Sequence, residues 1–335
     1  MNRVLNLLVL RRAQDERLFQ KYTGIWNSYL DSAFTLSLKH RSCLSLVLLL
    51  SMSRTIDDAI HHAIAILAQS QDDNIKLDAE LLLASVLDKD RTWLRTWPDK
   101  TISPAHWQAF EIYVQRRKAG EPVAYLLGQR DFWSLSLRVT PDTLIPRPET
   151  ELLVELALAK IPENAPWRIL DLGTGSGAIA LAIARERPGC ELIASDQSLS
   201  ALQIARQNAQ HNALNNIHFL AANWLTAFSP DFHADMILSN PPYIVDDDPH
   251  LSAGDVQFEP ISALAAGPEG LDDLQHILIH AKIHLKPGGW LLMEHGYHQQ
   301  TAMAELLKHH HYQSILCHKD YAGQPRVSLA QRADN

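Results

Sequence analysis

A chain of 335 residues, 46% of them apolar, has the material for a large buried core and for more than one domain. Its formal charge of −8 counts against a protein that binds by neutralising nucleic-acid phosphates, because that needs a surplus of Lys and Arg. The three cysteines, Cys43, Cys190 and Cys317, are odd in number and far apart, so they supply no disulfide framework and no CxxC metal pair, a usage that fits a reducing cytoplasm.

In chain order, residues 1–53 carry no recognisable chemistry. Their most apolar run, "CLSLVLLLSM" (Cys43 to Met52), is too short to span a membrane and too deep in the chain for an ordinary signal peptide. This segment is read as a non-catalytic or disordered extension, upstream sequence read through to an internal start at Met52. N-terminal sequencing of natively expressed protein tests that expectation. Residues 54–125 read as a small helical bundle. "TIDDAIHHAIAIL" puts Ile56, Ile60, Ile64 and Leu67 on one face behind a Thr55 N-cap. "IKLDAELLLASVL" repeats the pattern, and "PAHWQAFEIYVQRRKAG" gives a third helix ending at Gly120. His61, His62 and the run His309 to His311 lack partners at ligand spacing and read as solvated surface residues.

Residues 126–145 form a connection in which "FWSLSLRVT" alternates like a half-buried strand or hairpin arm. From 146 to 335 the pattern changes. "LIPRPETELLVELAL" stiffens at Pro146 and Pro148 and turns helical at about Glu149. Strands "RILDLG", "ELIASD", "IHFLAA", "DMILSN" and "WLLMEHG" then alternate with helices, the last strand following a turn at "LKPGG". Short apolar strands between helices imply a parallel sheet covered on both faces, with "YQSILCHKD" and "RVSLAQ" as an antiparallel pair at one edge.

"DLGTGSGAIA" (Asp171 to Ala180) joins a strand to a helix. Gly173, Gly175 and Gly177 permit a sharp turn and close approach of a ligand to the helix N-terminus. Gly173, Gly175 and Ala178 also fit G-x-G-x-x-A, which keeps a nicotinamide dehydrogenase in view. Asp171, however, would repel a pyrophosphate and suits a cationic ligand such as S-adenosyl-L-methionine. Asp196, at the end of the next strand, can accept ribose hydroxyls of either cofactor. Asn223 and Trp224 follow the third strand, where an adenine could donate to the amide and lie against the indole.

"MILSNPPYIVD" (Met236 to Asp246) ends an apolar strand on Asn240, facing the crevice at the carboxyl ends of a parallel sheet. Pro241 and Pro242 lack backbone N–H groups and fix the loop. The loop therefore presents acceptors without competing donors: the Asn240 side-chain oxygen and the Pro241 carbonyl for the two hydrogens of a planar NH2 group, and the Tyr243 ring as a flat support. Holding both hydrogens aims a weakly nucleophilic amide nitrogen at an electrophile, with no metal required.

With "LIPRPETELLV", "ILDLGTGSGAIALA", "SNPPYI" and "FEPISAL" in this order, the chain resembles the bacterial release factor glutamine methyltransferase, or HemK, family. The likeness runs from about Thr55 to near the C-terminus. It implies an α/β fold: a helical substrate-binding domain followed by a class I, Rossmann-like methyltransferase domain with a seven-stranded sheet. It further implies methylation of the glutamine in the Gly-Gly-Gln loop of class 1 peptide chain release factors, in the cytoplasm, with no membrane and no stable nucleic-acid partner. By resemblance Gly173, Thr174, Gly175, Ser176, Gly177, Asp196, Trp224 and Asn240 contact S-adenosyl-L-methionine, and Asn240, Pro241, Pro242 and Tyr243 hold the glutamine. Arg147, Glu149 and Glu151 shape the site by the same likeness, and Asn223 stands where many relatives carry Asp. The alternative is an adenine-N6 nucleic acid methyltransferase, since the same loop serves the adenine amino group. It must also extract a base and grip phosphates, and the acidic balance and the absence of a basic, aromatic-rich segment count against it. A catalytically silent binding module is a further rival, disfavoured by the intact glycine and proline loops.

Overall fold

Thr55 caps the first helix reciprocally: its hydroxyl accepts the Asp58 amide N–H and the Asp58 carboxylate accepts the Thr55 N–H. The computed structural model describes residues 54–68 and 74–334, and the expectations for residues 1–53 lie outside them. Helix α1 (Ile56–Leu67) packs on α2 (Ile75–Leu87) and α4 (Pro104–Lys118), with two short helices, α3 (Arg91–Thr96) and α5 (Val123–Leu127), that the sequence pattern did not announce. The buried stripe of α1 is Ile56, Ala59, Ala63 and Leu67, which keeps two members of the predicted row, Ile56 and Leu67, and adds two alanines. Alanines at the contact let the neighbouring helices approach closely, while Ile60 and Ile64 fill the flanks. Helix α5 runs through the expected boundary between residues 125 and 126.

The connection is a hairpin of β1 (Gln129–Phe132) and β2 (Leu135–Arg138), so Phe132 ends one arm instead of starting the other. Trp133 turns the chain at φ +56°, and its amide N–H donates to Glu151 Oε1 at 2.7 Å. The proline-rich stretch forms a 3-10 turn at Pro148–Thr150 before α6 (Glu151–Lys160). The α-helix therefore starts later than predicted, because the Thr150 N–H bonds back to the Arg147 carbonyl in the tighter spacing.

Next come β3 (Arg168–Leu172), α7 (Ala178–Glu186), β4 (Glu191–Asp196), α8 (Leu199–His211), β5 (Ile217–Ala221) and β6 (Ala234–Ser239). The chain closes with α9 (Asp272–His284), β7 (Leu285–Glu294), α10 (Gln300–His309), β8 (Tyr312–Lys319) and β9 (Pro325–Arg332). Among the described residues the main sheet has seven strands in the order β5-β4-β3-β6-β7-β9-β8. The five from β5 to β7 are parallel, and β9 runs antiparallel between β7 and β8. Ile169, Leu170, Met236, Ile237 and Leu238 are fully buried, as strands covered on both faces require. "LKPGG" is not a turn but the first half of β7, accommodated by a register shift against β6 with Gly288 at φ +72°. Helix α10 was not foreseen.

Order reverses between β3 and β6, so the carboxyl ends of β3, β4 and β6 open a crevice there. The helical domain abuts one wall of it. Arg117 of α4 pairs with Asp78 of α2 at 2.7 Å and with Asp255 of the loop after β6 at 2.6 Å. Tyr125 donates its hydroxyl to the Thr143 carbonyl at 2.6 Å.

Candidate active site

A cleft of about 670 Å³, open to solvent, lies over those strand ends. Gly173, Gly175, Asp196, Trp224, Asn240 and Pro242 line it, as does Asn223. Asp142 to Leu144 and Ser262 to Ala263 form further parts of its wall. Thr174, Ser176, Gly177, Pro241 and Tyr243 are not among the residues that line it.

The glycine turn shows why. Thr174 points inward, its hydroxyl donating to Asp171 Oδ2 at 2.6 Å, and the Ser176 carbonyl accepts Asn208 Nδ2–H at 2.8 Å. The Thr174 side chain and the Ser176 backbone thus hold the loop down. Gly177 sits at φ +89°, and a Cβ there would stand 2.8 Å from Leu181 Cδ1. Its role is close packing of α7. Gly173 is also left-handed, at φ +70°, with the Trp224 ring against it: a Cβ would lie 3.1 Å from Trp224 Cζ3. Trp224 is itself fixed, its indole N–H donating to Asp273 Oδ1 at 3.0 Å.

The two acids differ. Asp196 faces the cleft while accepting the Gly175 N–H at 2.9 Å and the Ser198 N–H at 2.8 Å, and burial raises its pKa. Each oxygen keeps a lone pair for a ligand hydroxyl. Asp171 lies beneath the loop, wholly buried. Its Oδ2 accepts from Thr174 and from the Ala180 N–H, and its Oδ1 has no hydrogen-bond partner among the described residues. Burial pushes its carboxyl up to about 6.

Asn240, half-buried at the end of β6, donates Nδ2–H to Thr150 Oγ1 at 3.1 Å. The Thr150 hydroxyl in turn donates to Glu294 Oε2 at 2.8 Å, and the Tyr243 hydroxyl donates to Glu294 Oε1 at 3.2 Å. Burial, with the neighbouring Glu294, raises the Tyr243 pKa, and burial pushes the Glu294 carboxyl up to about 7. Tyr243 is partly buried and packed against the core, its hydroxyl anchored on Glu294, with Pro241 buried beside it.

Of the signature residues, Arg147 pairs with the buried Glu259, which also accepts the Ile145 N–H at 3.0 Å; this ties the signature to the "FEPISAL" loop. Glu151 holds the hairpin turn. Glu149 is partly buried and adds repulsion at Glu294. Sequence reasoning missed Thr150, Glu259, Asp273 and Glu294. Glu294 had a legible signal, being a polar residue that ends an apolar strand as Asp196 and Asn240 do. Among the described residues no group of three or more His, Cys, Asp or Glu is placed to hold a metal ion, and no helix is long and apolar enough to cross a membrane.

This sheet, with its glycine turn and strand-end acid, defines a methyltransferase domain of the Rossmann-like class. The model for the methyltransferase small domain matches residues 149–258, and that for the PrmC N-terminal domain matches residues 58–128. Curated relatives agree over nearly their whole length. The release factor glutamine methyltransferase of Vibrio cholerae is 49% identical over 84% of this chain and 98% of its own. That of Aliivibrio fischeri is 47% identical over the same shares, and that of Escherichia coli is 47% identical over 76% of this chain and 91% of its own. The chain belongs to the release factor glutamine methyltransferase family.

Proposed function

We propose that this chain methylates the side-chain nitrogen of the glutamine in the Gly-Gly-Gln motif of class 1 peptide chain release factors, with S-adenosyl-L-methionine as donor. The observation that carries this reading is the 47–49% identity to curated release factor glutamine methyltransferases over nearly their whole length, and the orientation of the Asn240 side chain supports the chemistry. Its NH2 end is taken by Thr150, so an acceptor oxygen is left for the cleft.

The residues present fit the donor. The cleft lining includes Asp142 and Asp196 and no Lys or Arg, and the buried Asp171 adds an acid with one unpartnered oxygen below the loop. That setting favours a cation and disfavours a pyrophosphate, which weakens the dehydrogenase alternative. Asp196 would accept ribose hydroxyls, and Trp224 with Asn223 would border the adenine. Bound there, S-adenosyl-L-methionine supplies a methyl carbon on a cationic sulfur.

The remaining chemistry belongs to the chain. Asn240 Oδ1 and the Pro241 carbonyl each accept one N–H of the glutamine amide. Fixing both hydrogens raises electron density on nitrogen and directs its lone pair along the line of displacement. With the donor bound, the amide nitrogen would take the methyl carbon as the carbon–sulfur bond breaks, that electron pair leaving with the sulfur, and the nitrogen, made acidic, would release a proton to water. No metal takes part in this reading. The helical domain, residues 54–125, would hold the protein substrate beside the cleft, in the cytoplasm and without a stable nucleic-acid partner.

Incubation with labelled S-adenosyl-L-methionine and, separately, a release factor, its Gln-to-Ala loop variant and unmethylated DNA tests this. Label in the wild-type factor alone is expected. Label in DNA alone would establish the adenine-N6 alternative instead.

A further inference from the structure

We propose that Thr150 and Glu294 are positioning residues that determine which end of the Asn240 carboxamide faces the cleft, and so whether the enzyme presents an acceptor or a donor to its substrate; this deepens the function proposed above and rests on it.

A threonine hydroxyl has one hydrogen to give. Thr150 lies 2.8 Å from Glu294 Oε2, and an ionised carboxylate only accepts, so that hydrogen is committed. The Thr150 oxygen can then only accept from Asn240, at 3.1 Å, which selects the NH2 end of the amide. A directional relay results: Asn240 N–H to Thr150 O, and Thr150 O–H to carboxylate. The second oxygen of Glu294 takes the Tyr243 hydroxyl, so one buried carboxylate anchors both ends of the Asn-Pro-Pro-Tyr loop. An inverted amide would place NH2 against the NH2 of the substrate, a donor facing a donor.

The relay depends on the charge of Glu294. Burial raises the carboxyl to about 7 against Thr150, Tyr243 and Arg326 of the adjoining β9, which favour the charged form, while Glu149 disfavours it. Arg326 is shared with Asp320, which accepts its Nε–H at 3.2 Å. A protonated Glu294 can donate to Thr150, the hydroxyl can then turn toward Asn240, and the amide is free to invert. Acceptor polarity in the cleft should therefore weaken as pH falls through about 7.

The test compares Thr150→Val, Thr150→Ser and Glu294→Gln in the full-length protein. Thr150→Val is expected to lower kcat about 10- to 100-fold with KM for S-adenosyl-L-methionine unchanged, the size of a misplaced substrate group. Thr150→Ser keeps the hydroxyl and most of the activity. In the wild type, the Asn240 side-chain NH2 signals, assigned by their loss in Asn240→Ala, should exchange slowly with solvent by nitrogen-15 NMR. That protection should vanish in Thr150→Val. Both protection and kcat should fall on the acid side of neutrality, and the limb should be missing from Glu294→Gln. Equal protection in Thr150→Val and wild type, a Thr150→Ser as impaired as Thr150→Val, or an acid limb that survives in Glu294→Gln would each overturn the relay. The NMR arm needs no methyl acceptor. Lost protection in Thr150→Val beside an unlabelled release factor would support the relay and overturn the substrate alone.

Discussion

Asn240 concentrates the chemistry of this protein into one carboxamide. It is half-buried, bonded on its nitrogen side to Thr150, and exposed to the cleft beside Pro242. Asn240→Ala removes an aimed acceptor. It is expected to cost kcat about 10²- to 10³-fold, as loss of one preorganised polar partner does, with most affinity for S-adenosyl-L-methionine retained. Calorimetry run beside a methyl-transfer assay measures the two effects separately, and an equal loss of cofactor affinity would contradict that division. Asn240→Asp is the sharper variant. Its size is nearly the same, but it presents an oxygen where Thr150 needs a donor, so transfer should be lost to a similar degree. Asp196→Ala should behave in the opposite way, weakening cofactor binding most, because it removes the acceptor that also holds the Gly175 N–H.

At the scale of elements, strand ends and turns do the positioning. The carboxyl ends of β4, β6 and β7 deliver Asp196, Asn240 and Glu294. Parallel pairing of Ser239 with Met293 sets the last two side by side. The glycine turn holds the opposite side by packing. Gly177→Ala must carry a side chain at φ +89° into Leu181, with Ala205 Cβ also at 3.3 Å. The expected loss is about 1–3 kcal/mol, the usual range for overpacking, measured by urea denaturation. A neutral result would mean that the Leu181 side chain yields freely and that the left-handed backbone tolerates a Cβ.

Across the whole molecule, the helical domain is held to the catalytic domain through a buried cation. Burial works against the charge of Arg117, but the Asp78 and Asp255 carboxylates outweigh it and raise its pKa. Arg117→Met removes that shared partner and should destabilise the fold by about 3–5 kcal/mol, the range for breaking a buried ion pair. It should also speed hydrogen exchange in residues 255–259, next to the cleft wall. Stability has a pH signature as well. Glu294 and Asp171 are raised in the native state, to about 7 and about 6, from ordinary values of 4.5 and 3.8. Between those limits the native chain keeps protons that the unfolded chain has released, so these groups lower stability as pH rises and level off above about 7. Glu294→Gln removes one of them. Its melting temperature relative to wild type should therefore rise between about pH 5 and pH 8.

The sequence by itself determined the chemistry available: a left-handed glycine turn after a strand, an acid ending the next, and a donor-free Asn-Pro-Pro-Tyr corner ending another. These features were legible because each is local, written in residue types and in a spacing of a few positions. It also marked the helical domain and the alternating strands and helices, although not the short helices, α10 or the start of β7, where packing overrides pattern. Only the tertiary structure decided the polarity of the site. Thr150 and Glu294 are 144 positions apart, and Arg117 and Asp255 are 138 apart. These pairs meet because β7 docks beside β6 and the bundle folds back on the loop after β6. Strand order and register arise from long-range burial of apolar faces, and no local pattern records which distant side chain will complete a hydrogen bond.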